Sequence, residues 1–339
     1  MSDNKGKTII LKSRPSILSY ASIVGKKEGE GPLGNEFDMK VVDSLLGEDS
    51  FEKAEMKLQQ IATDTALNKA KLKYSDIDCI FAGDLLNQCI GSSFGLRQTN
   101  MPFVGMYGAC STMALTLAIA SIFIESGAAT KTISVTSSHF CSAERQYRFP
   151  LEYGSQRTPT AQWTVTGSGA VILTNMPQKA YVDKITIGTV QDLGVTDANN
   201  MGAAMAPAAA DTIKRFLQDT NTKPNDYDKI FTGDLGLVGS SLLYEILEND
   251  NINIKKQHKD CGVMMYDIDK QDAHAGASGC GCSASILASY ILKRVESGQY
   301  KNILFCATGA LLSPTSTQQG ESIPSVAHLV NIKSSNFKN

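Results

Sequence analysis

The stretch DIDCIFAGDL at residues 76–85 recurs as DYDKIFTGDL at residues 226–235. Seven of the ten positions are identical, and the two copies start 150 residues apart. Each copy follows a helix-like segment and combines a short apolar run with a Gly-Asp pair, a pattern that predicts a buried strand ending in a turn. The chain therefore contains two copies of one structural unit.

The similarity continues after each predicted strand. GACST at 108–112 and GCGCSAS at 279–285 each open a long apolar segment, and both segments end in Glu-Ser-Gly, at 125–127 and 296–298. Glycine directly after an apolar helical segment is a common signal for a helix C-terminus. A strand-like run follows each Glu-Ser-Gly sequence. Two copies of helix–strand–loop–helix–strand predict a duplicated α/β protein.

The boundary between the two halves is predicted near residue 180, which gives an N-terminal half at 1–180 and a C-terminal half at 181–339. The runs TVTGSGAVILTN at 164–175 and AYVDKITIGTVQDLG at 180–194 are rich in Thr, Val and Ile. This composition is typical of strands, and we expect both runs to close the first sheet. The glycines at 167–170 and 276–281 lack the spacing of nucleotide-binding loops, so we expect tight turns there.

The composition is that of a globular protein, with 42% hydrophobic and 19% charged residues and a formal net charge of -2. No basic surface for nucleic acid is indicated. Eight cysteines without a C-x-x-C pair favour a reducing compartment, and we expect no metal site of the protein's own. The longest apolar run, MALTLAIASIFI, has twelve residues and is too short to span a bilayer. We therefore expect a protein without targeting or transmembrane segments that meets a membrane only peripherally.

Cys110 lies at the start of the first apolar helix, where a nucleophilic thiol would be placed. The helix dipole and free amides there are expected to lower its pKa. A base is harder to find. In the thiolase and ketoacyl-synthase superfamily, which this arrangement resembles, the base comes from second-half loops, and here the loops GDLGLVGS and GASGCGCSAS contain no histidine. His139 ends the strand after the Cys110 helix and is the first candidate, and His274 is another. His328 is expected in a late strand as a hydrogen-bonded core or edge histidine, and His258 in an exposed loop. Cys110 has three interpretations: part of a ligand site, a small core residue, or a nucleophile.

A duplicated α/β chain with a cysteine at the start of a buried helix resembles the thiolase and ketoacyl-synthase superfamily. AGDLLNQ, GACST, TPTAQWTVTGSGA, MAPAAADTI and ATGALLSPTS, in this order, resemble a narrower group, the stage V sporulation protein AD family. The resemblance extends from about Gly31 to His328. It implies a thiolase-like α-β-α-β-α layered sandwich.

The resemblance also implies a function. Members of this family have no established catalytic activity and belong to the SpoVA assembly, which moves dipicolinic acid, as its calcium chelate, into the developing spore. The implied partners are dipicolinic acid and the other SpoVA membrane proteins, and the implied location is the periphery of the spore inner membrane. The superfamily implies a homodimer joined through first-half sheet edges. A condensing enzyme that uses Cys110, and a scaffold with a vestigial crevice, are the alternatives.

Dipicolinate is a planar pyridine with two carboxylates, so its site should supply hydrogen-bond donors and Arg side chains. Asp84 and Asp234 follow the matching strands and are expected at corresponding sheet edges. Each orders its turn, orients a polar group or, for Asp84, binds the calcium of a chelate. Whether the ligand is free or calcium-bound stays open. The candidate ligand-binding residues are Asp84, Asn87, Cys110, Ser137, Ser138, His139, Arg145 and Arg148.

Overall fold

The computed structural model describes residues 8–147 and 157–335. Its strands are β1 (Thr8–Ile10), β2 (Ser16–Val24), β3 (Met39–Lys40), β4 (Cys79–Gly83), β5 (Phe103–Gly105), β6 (Lys131–Ser138), β7 (Trp163–Thr164), β8 (Gly167–Thr174), β9 (Ala180–Thr186), β10 (Lys229–Thr232), β11 (His258–Asp260), β12 (Ala277–Ser278), β13 (Asn302–Ala310) and β14 (Ser325–Ser334). Its α-helices are α1 (Lys26–Gly29), α2 (Phe51–Ala70), α3 (Ile90–Leu96), α4 (Thr112–Glu125), α5 (Phe140–Tyr147), α6 (Met201–Thr220), α7 (Gly236–Glu248), α8 (Cys261–Met265), α9 (Cys280–Ile286), α10 (Leu292–Glu296) and α11 (Pro314–Gln318).

The strand order confirms the duplication. The sheet runs β11-β10-β13-β14-β9-β2-β8-β6-β4-β5. In the first half β4 is parallel to β5 and β6, and β8 is antiparallel to β6 and β2. In the second half β10 is parallel to β11 and β13, and β14 is antiparallel to β13 and β9. The repeated sequences therefore form β4 and β10, two equivalent strands. The halves join where β2 meets β9 at the single pair Ser16 and Tyr181.

The structure corrects two expectations about strands. The run at 180–194 does not close the first sheet, because β9 pairs mainly with β14 of the second half. The glycines at 167–170 are not a turn but the start of β8. Residue 169 must be small because a Cβ there would lie 2.2 Å from the carbonyl oxygen of Ala284 on α9. Close helix–strand packing, and not a bend in the chain, explains these glycines.

Helices and strands form five layers. α2 covers the outer face of β2, β6 and β8, and α6 covers the outer face of β13 and β14. α4 and α9 lie between the two halves and contact strands on both sides or each other. This middle position explains why α4 is apolar on nearly all faces. The duplicated Glu-Ser-Gly stops are confirmed, since Gly127 and Gly298 have φ values of +77° and +76° just after the helices end.

None of the helices in the described ranges is long and apolar enough to cross a bilayer. The most apolar long helix, α4, has 14 residues. About 20 apolar residues are needed for a spanning helix.

Candidate functional site

Cys110 lies in a sharp turn that leads into α4. Ala109, just before it, has a φ of +49°, which is rare for a residue with a side chain. The turn is fixed by Ser111, whose amide and hydroxyl both donate to the Gly108 carbonyl, at 3.0 and 2.6 Å. The Cys110 side chain is buried and points toward the second half of the molecule, where its sulfur lies 3.8 Å from the Ser278 hydroxyl oxygen.

The thiol also faces the Asp234 carboxyl, which follows β10. Asp234 is fully buried. It accepts hydrogen bonds from the Gly279 amide at 2.8 Å, the Thr308 hydroxyl at 3.0 Å and the Ser278 hydroxyl at 3.3 Å. Burial raises the pKa of Asp234 to about 7, against the lowering effect of these donors and the Cys110 thiol. A residue near the end of the second copy of the repeat therefore faces the cysteine that follows the first copy.

The expected activation of Cys110 is wrong. Burial, together with the facing Asp234 carboxyl, raises the pKa of the Cys110 thiol well above its ordinary value. Desolvation of a charge shifts a pKa by up to about 3–5 units, whereas a helix N-terminus contributes about 1 kcal/mol, less than one unit. The thiol is therefore protonated at neutral pH, and it can donate a hydrogen bond but is a poor nucleophile.

A small, partly open cavity of about 40 Å³ adjoins Cys110. Its walls come from both halves and are largely apolar: Leu85, Tyr107, Ala109, Cys110, Ala143, Tyr147, Thr164, Met201, Ser278, Ala310 and Leu312. The Tyr107 and Tyr147 hydroxyls are 3.2 Å apart, and the Tyr147 hydroxyl also donates to the Leu85 carbonyl. These lining residues include no charged side chain and no histidine. Pockets for small ligands usually exceed about 300 Å³, so this cavity must open to admit one.

His139 does not line the Cys110 cavity. It follows β6 as expected, but its Nε2 lies 2.8 Å from the Ser44 carbonyl oxygen and its Nδ1 accepts from the Cys141 amide. Burial lowers its pKa, so the ring is neutral. His139 instead lines a second cavity of about 360 Å³, together with Lys27, Trp163 and neighbouring residues.

The other histidines are also engaged elsewhere. His258 is not in an exposed loop but begins β11, buried between the Tyr244 hydroxyl at 2.7 Å and the Thr232 hydroxyl at 2.8 Å. His328 is a core histidine of β14, as expected, and its Nδ1 accepts from the Gly188 amide. Burial lowers the pKa of each to about 4. His274 lies between the Thr158 carbonyl and the Asp272 carboxylate, on the surface.

Asp84 and Ser137 belong to a buried polar network behind the cavity wall. The Asp84 carboxyl accepts from the Leu86 amide and from both the amide and the hydroxyl of Ser92, at 2.6–2.9 Å. Ser137 lies 3.2 Å from the Glu55 carboxyl oxygen. The Ser138 hydroxyl donates a hydrogen bond to the Val165 carbonyl at 2.6 Å. The network lies next to the cavity, and its side chains are not among the lining residues.

The remaining predicted residues lie on or near the surface. The Asn87 amide donates to the Gln146 side chain, and Asn87 is exposed. Arg145 forms an ion pair with Glu52 at 3.6 Å, and 66% of its side chain is exposed. Arg148 lies outside the described residues. Of the predicted set, Cys110 alone lines the cavity within the parts of the chain that are described.

Sequence reasoning missed several residues that form the site. Ser278, Thr164 and Leu312 lie in segments that the sequence analysis names but gives no role, and Tyr107, Tyr147 and Met201 lie outside those segments; all six line the cavity. Asp234 could be recognised from the sequence, because it occupies the repeat position that matches Asp84. No group of three or more His, Cys, Asp or Glu side chains that could hold a metal ion occurs in the described ranges. The arrangement can enclose a small apolar or neutral group against a thiol and two phenols.

Comparison with solved structures identifies the fold. The chain resembles 3-oxoacyl-[acyl-carrier-protein] synthase III from Aquifex aeolicus VF5, with 15% identity, a TM-score of 0.59, and coverage of 94% of this chain and 99% of that one. It also resembles cerulenin-bound Xanthomonas campestris OleA, with 12% identity, a TM-score of 0.60, and coverage of 96% and 98%. At these identities the likeness establishes the thiolase-like fold alone.

The sequence comparisons are more specific. The profile of stage V sporulation protein AD (SpoVAD) matches residues 5–333. The stage V sporulation protein AD of Bacillus subtilis (strain 168) is 46% identical over 312 residues, covering 92% of each chain. Nearly the whole sequence, and both halves of the duplication, take part in this match. The chain therefore belongs to the stage V sporulation protein AD family.

Proposed function

We propose that this chain is a non-catalytic sporulation protein that binds dipicolinic acid in the Cys110 cavity. It supports uptake of dipicolinate into the developing spore, as a peripheral component of the SpoVA assembly at the spore inner membrane. Family membership supports the sporulation role, and the resemblance that led to the family supplies the ligand. The observation that carries the choice of binding over catalysis is the pairing of Cys110 with the buried Asp234 carboxyl.

Acyl transfer by a cysteine needs a thiolate and a nearby base. Here the Cys110 thiol is held protonated, and the cavity is lined by neither histidine nor lysine among the described residues. The same features suit a binding site, because a thiol, two phenols and hydroxyls can hydrogen-bond a ligand without reacting with it. The role of the enzyme fold is then to provide a crevice between the two halves.

The charge of the site favours dipicolinate as its calcium chelate. Free dipicolinate carries two negative charges, and moving them into a largely apolar cavity beside Asp234 is unfavourable. The lining residues offer no cation to compensate. A one-to-one calcium chelate is neutral overall, so calcium enters as part of the ligand.

Titration calorimetry of the purified protein tests this proposal. Dipicolinate with calcium should bind, and dipicolinate without calcium should bind more weakly. Cys110→Ala removes one cavity wall and a hydrogen-bond donor worth about 1 kcal/mol, so it should weaken binding roughly fivefold. Cys306→Ala is the matched control, because Cys306 is equally buried but packs in the separate core under α6.

Three outcomes would contradict the proposal. No binding by the wild type, with or without calcium, removes the ligand assignment and leaves an assembly role. Equal losses in the Cys110 and Cys306 variants would move the site elsewhere. A mass increase on Cys110 after incubation with an acyl-CoA would instead establish a condensing or acyltransferase activity.

A further inference from the structure

Helix α5 forms one side of the Cys110 cavity and is held by hydrogen bonds and by two aromatic side chains. Phe140 stacks on Trp163 with a centroid distance of 4.1 Å, and Tyr147 packs against Leu85 and Cys110. Ala143 and Tyr147 of α5 line the cavity. The Gln146 side chain donates to the Leu85 carbonyl at 2.9 Å, and the Tyr147 hydroxyl donates to the same oxygen. Only two small residues of this helix, Ser142 and Ala143, are buried. Phe140 and Tyr147 are only partly buried, so α5 is easier to detach than the core helices.

The innermost attachment of α5 is a hydrogen bond to Glu55. The Ser142 hydroxyl donates to the Glu55 carboxyl at 2.6 Å. Glu55 lies near the N-terminus of α2, is 1% exposed, and also accepts a hydrogen bond from the Ser137 hydroxyl at 3.2 Å. One turn later on α2, the Gln59 amide donates to the Ser92 and Ser137 hydroxyls. The network joins the buried side of α5 to the end of β6 and to α3.

The charged and titratable groups around Glu55 are mostly acidic. Asp84, at the end of β4, interacts with it through charge repulsion, and Glu52 on α2 does so more weakly. Arg145 on α5 is paired with Glu52 and is exposed. On α9 the Cys280 thiol faces the same network, with its pKa raised by burial and by the surrounding acids. No cation contacts the Glu55 carboxyl within the described structure.

We propose that Glu55 is a positioning residue whose buried carboxyl holds α5 over the Cys110 cavity through the Ser142 hydroxyl, so that opening of the cavity is coupled to ionisation of Glu55. When α5 lifts, the carboxyl reaches water and ionises. When α5 is closed, the carboxyl is buried next to Asp84 and keeps its proton. This coupling would regulate access to the ligand site of the proposed function, and it can be measured in the protein without ligand.

The expected pH dependence follows from this coupling. With α5 closed, burial and Asp84 raise the pKa of Glu55 to about 8. With α5 open, an exposed glutamate has an ordinary pKa of about 4.3. The closed form binds the extra proton, so it is favoured at low pH and loses that advantage as pH rises between these values. The opening constant should rise roughly tenfold per pH unit from pH 6 to 7 and level off above about pH 8.

Hydrogen exchange of the α5 amides at pH 6, 7 and 8, corrected for intrinsic exchange rates, measures this opening without any ligand. In the wild type, the opening constant of α5 should rise roughly tenfold from pH 6 to pH 7. Glu55→Gln keeps a neutral side chain of the same shape at every pH, so its α5 opening should not change with pH. Ser142→Ala removes the bond from the α5 side and should raise opening at pH 6 roughly fivefold, equivalent to a hydrogen bond of about 1 kcal/mol. Ser121→Ala, in α4, should leave α5 unchanged because Ser121 bonds only its own helix.

The α4 amides serve as the internal reference for global unfolding. Equal pH slopes in the wild type and Glu55→Gln would overturn the proposal, as would an identical slope in α4 and α5. Ser142→Ala keeps the test decisive if Glu55→Gln does not fold, since unchanged α5 exchange in that variant also overturns it. Absence of dipicolinate binding would contradict the proposed function and leave the exchange result intact. If the ligand binds, its affinity should rise from pH 6 to 8 in the wild type and stay level in Glu55→Gln.

Discussion

At the scale of single residues, the environment of Cys110 decides what the site can do. Its position before α4 is that of a nucleophile, and the start of a helix does favour a thiolate. Burial and the Asp234 carboxyl act in the opposite direction and are stronger, so the pKa of the thiol is raised. The neighbours on both sides of the cysteine, Ala109 and Ser111, shape the turn and supply no base. The same residue at the same place in a helix can thus be reactive or inert, depending on what faces it.

Cys110 should therefore react slowly with alkylating agents. At pH 7.5 and in the native protein, we expect iodoacetamide to modify Cys110 at least roughly tenfold more slowly than Cys141, the partly exposed cysteine. Asp234→Asn removes the facing negative charge and should accelerate modification of Cys110 severalfold. Peptide mass spectrometry follows both cysteines in one sample.

Cys141 is the control in that experiment, because it contacts neither Asp234 nor the cavity. Its rate should be equal in the wild type and in Asp234→Asn. Modification of wild-type Cys110 as fast as Cys141 would contradict the protonated, buried thiol.

At the scale of helices and strands, close packing between α9 and β8 determines the position of the residues around Cys110. α9 lies directly on β8, and the carbonyl oxygen of Ala284 approaches Gly169 so closely that no side chain fits between them. This contact fixes where α9 begins, and with it the position of the loop that carries Ser278. The Gly279 amide in that loop donates to Asp234 at 2.8 Å. The geometry around Cys110 thus depends on a helix–strand contact at some distance from it.

Gly169→Ala should destabilise the protein strongly. The added Cβ would lie 2.2 Å from the Ala284 carbonyl oxygen, and backbone atoms cannot move aside without shifting α9. Overpacking of this kind costs about 3 kcal/mol in the free energy of unfolding. Urea unfolding monitored by circular dichroism measures the loss.

Gly29→Ala is the comparison for this variant. Its new Cβ would meet the Lys40 side chain, whose Cδ is 2.9 Å away but can rotate. We expect it to cost less than about 1 kcal/mol. Similar stability of the two variants would show that α9 adjusts freely to β8.

At the scale of the whole molecule, the two ends of the sheet differ. β5 ends the sheet in the first half and β11 ends it in the second. Aromatic side chains near β5 are exposed, with Phe94 at 51% and Phe103 at 39%. An open strand edge with exposed aromatic groups is a common place for two copies to associate. On this basis we expect a homodimer joined through the first-half edges.

We expect the protein to be a dimer at micromolar concentration by light scattering. Phe94→Asp places a charge in the exposed aromatic patch and should weaken the dimer roughly tenfold or more. Leu237→Asp, at a residue that is 48% exposed near the opposite end of the sheet, should leave the dimer intact. A monomeric mass for the wild type would refute this arrangement, and dissociation by Leu237→Asp alone would place the interface at the other end.

Much of the fold could be predicted because it is encoded locally and twice. IFAGDL and IFTGDL form the equivalent strands β4 and β10, and the apolar segments form α4 and the continuous helix of α9 and α10. The predicted partner of β9 is wrong, because the composition of a strand does not specify its neighbour in the sheet. His258 was misplaced for the same reason, since a polar sequence such as KKQHKD gives no sign that Tyr244 and Thr232 bury its histidine.

The sequence by itself determined the duplicated α/β architecture, the position of Cys110 at a helix start and membership of the family, because these depend on patterns along the chain. Only the tertiary structure decided the state of the site. It brought Asp234 to Cys110, turned His139 toward another cavity and buried Glu55 beside Asp84. The physical reason is that desolvation and charge repulsion arise between groups from distant segments, and no local pattern records which groups will meet.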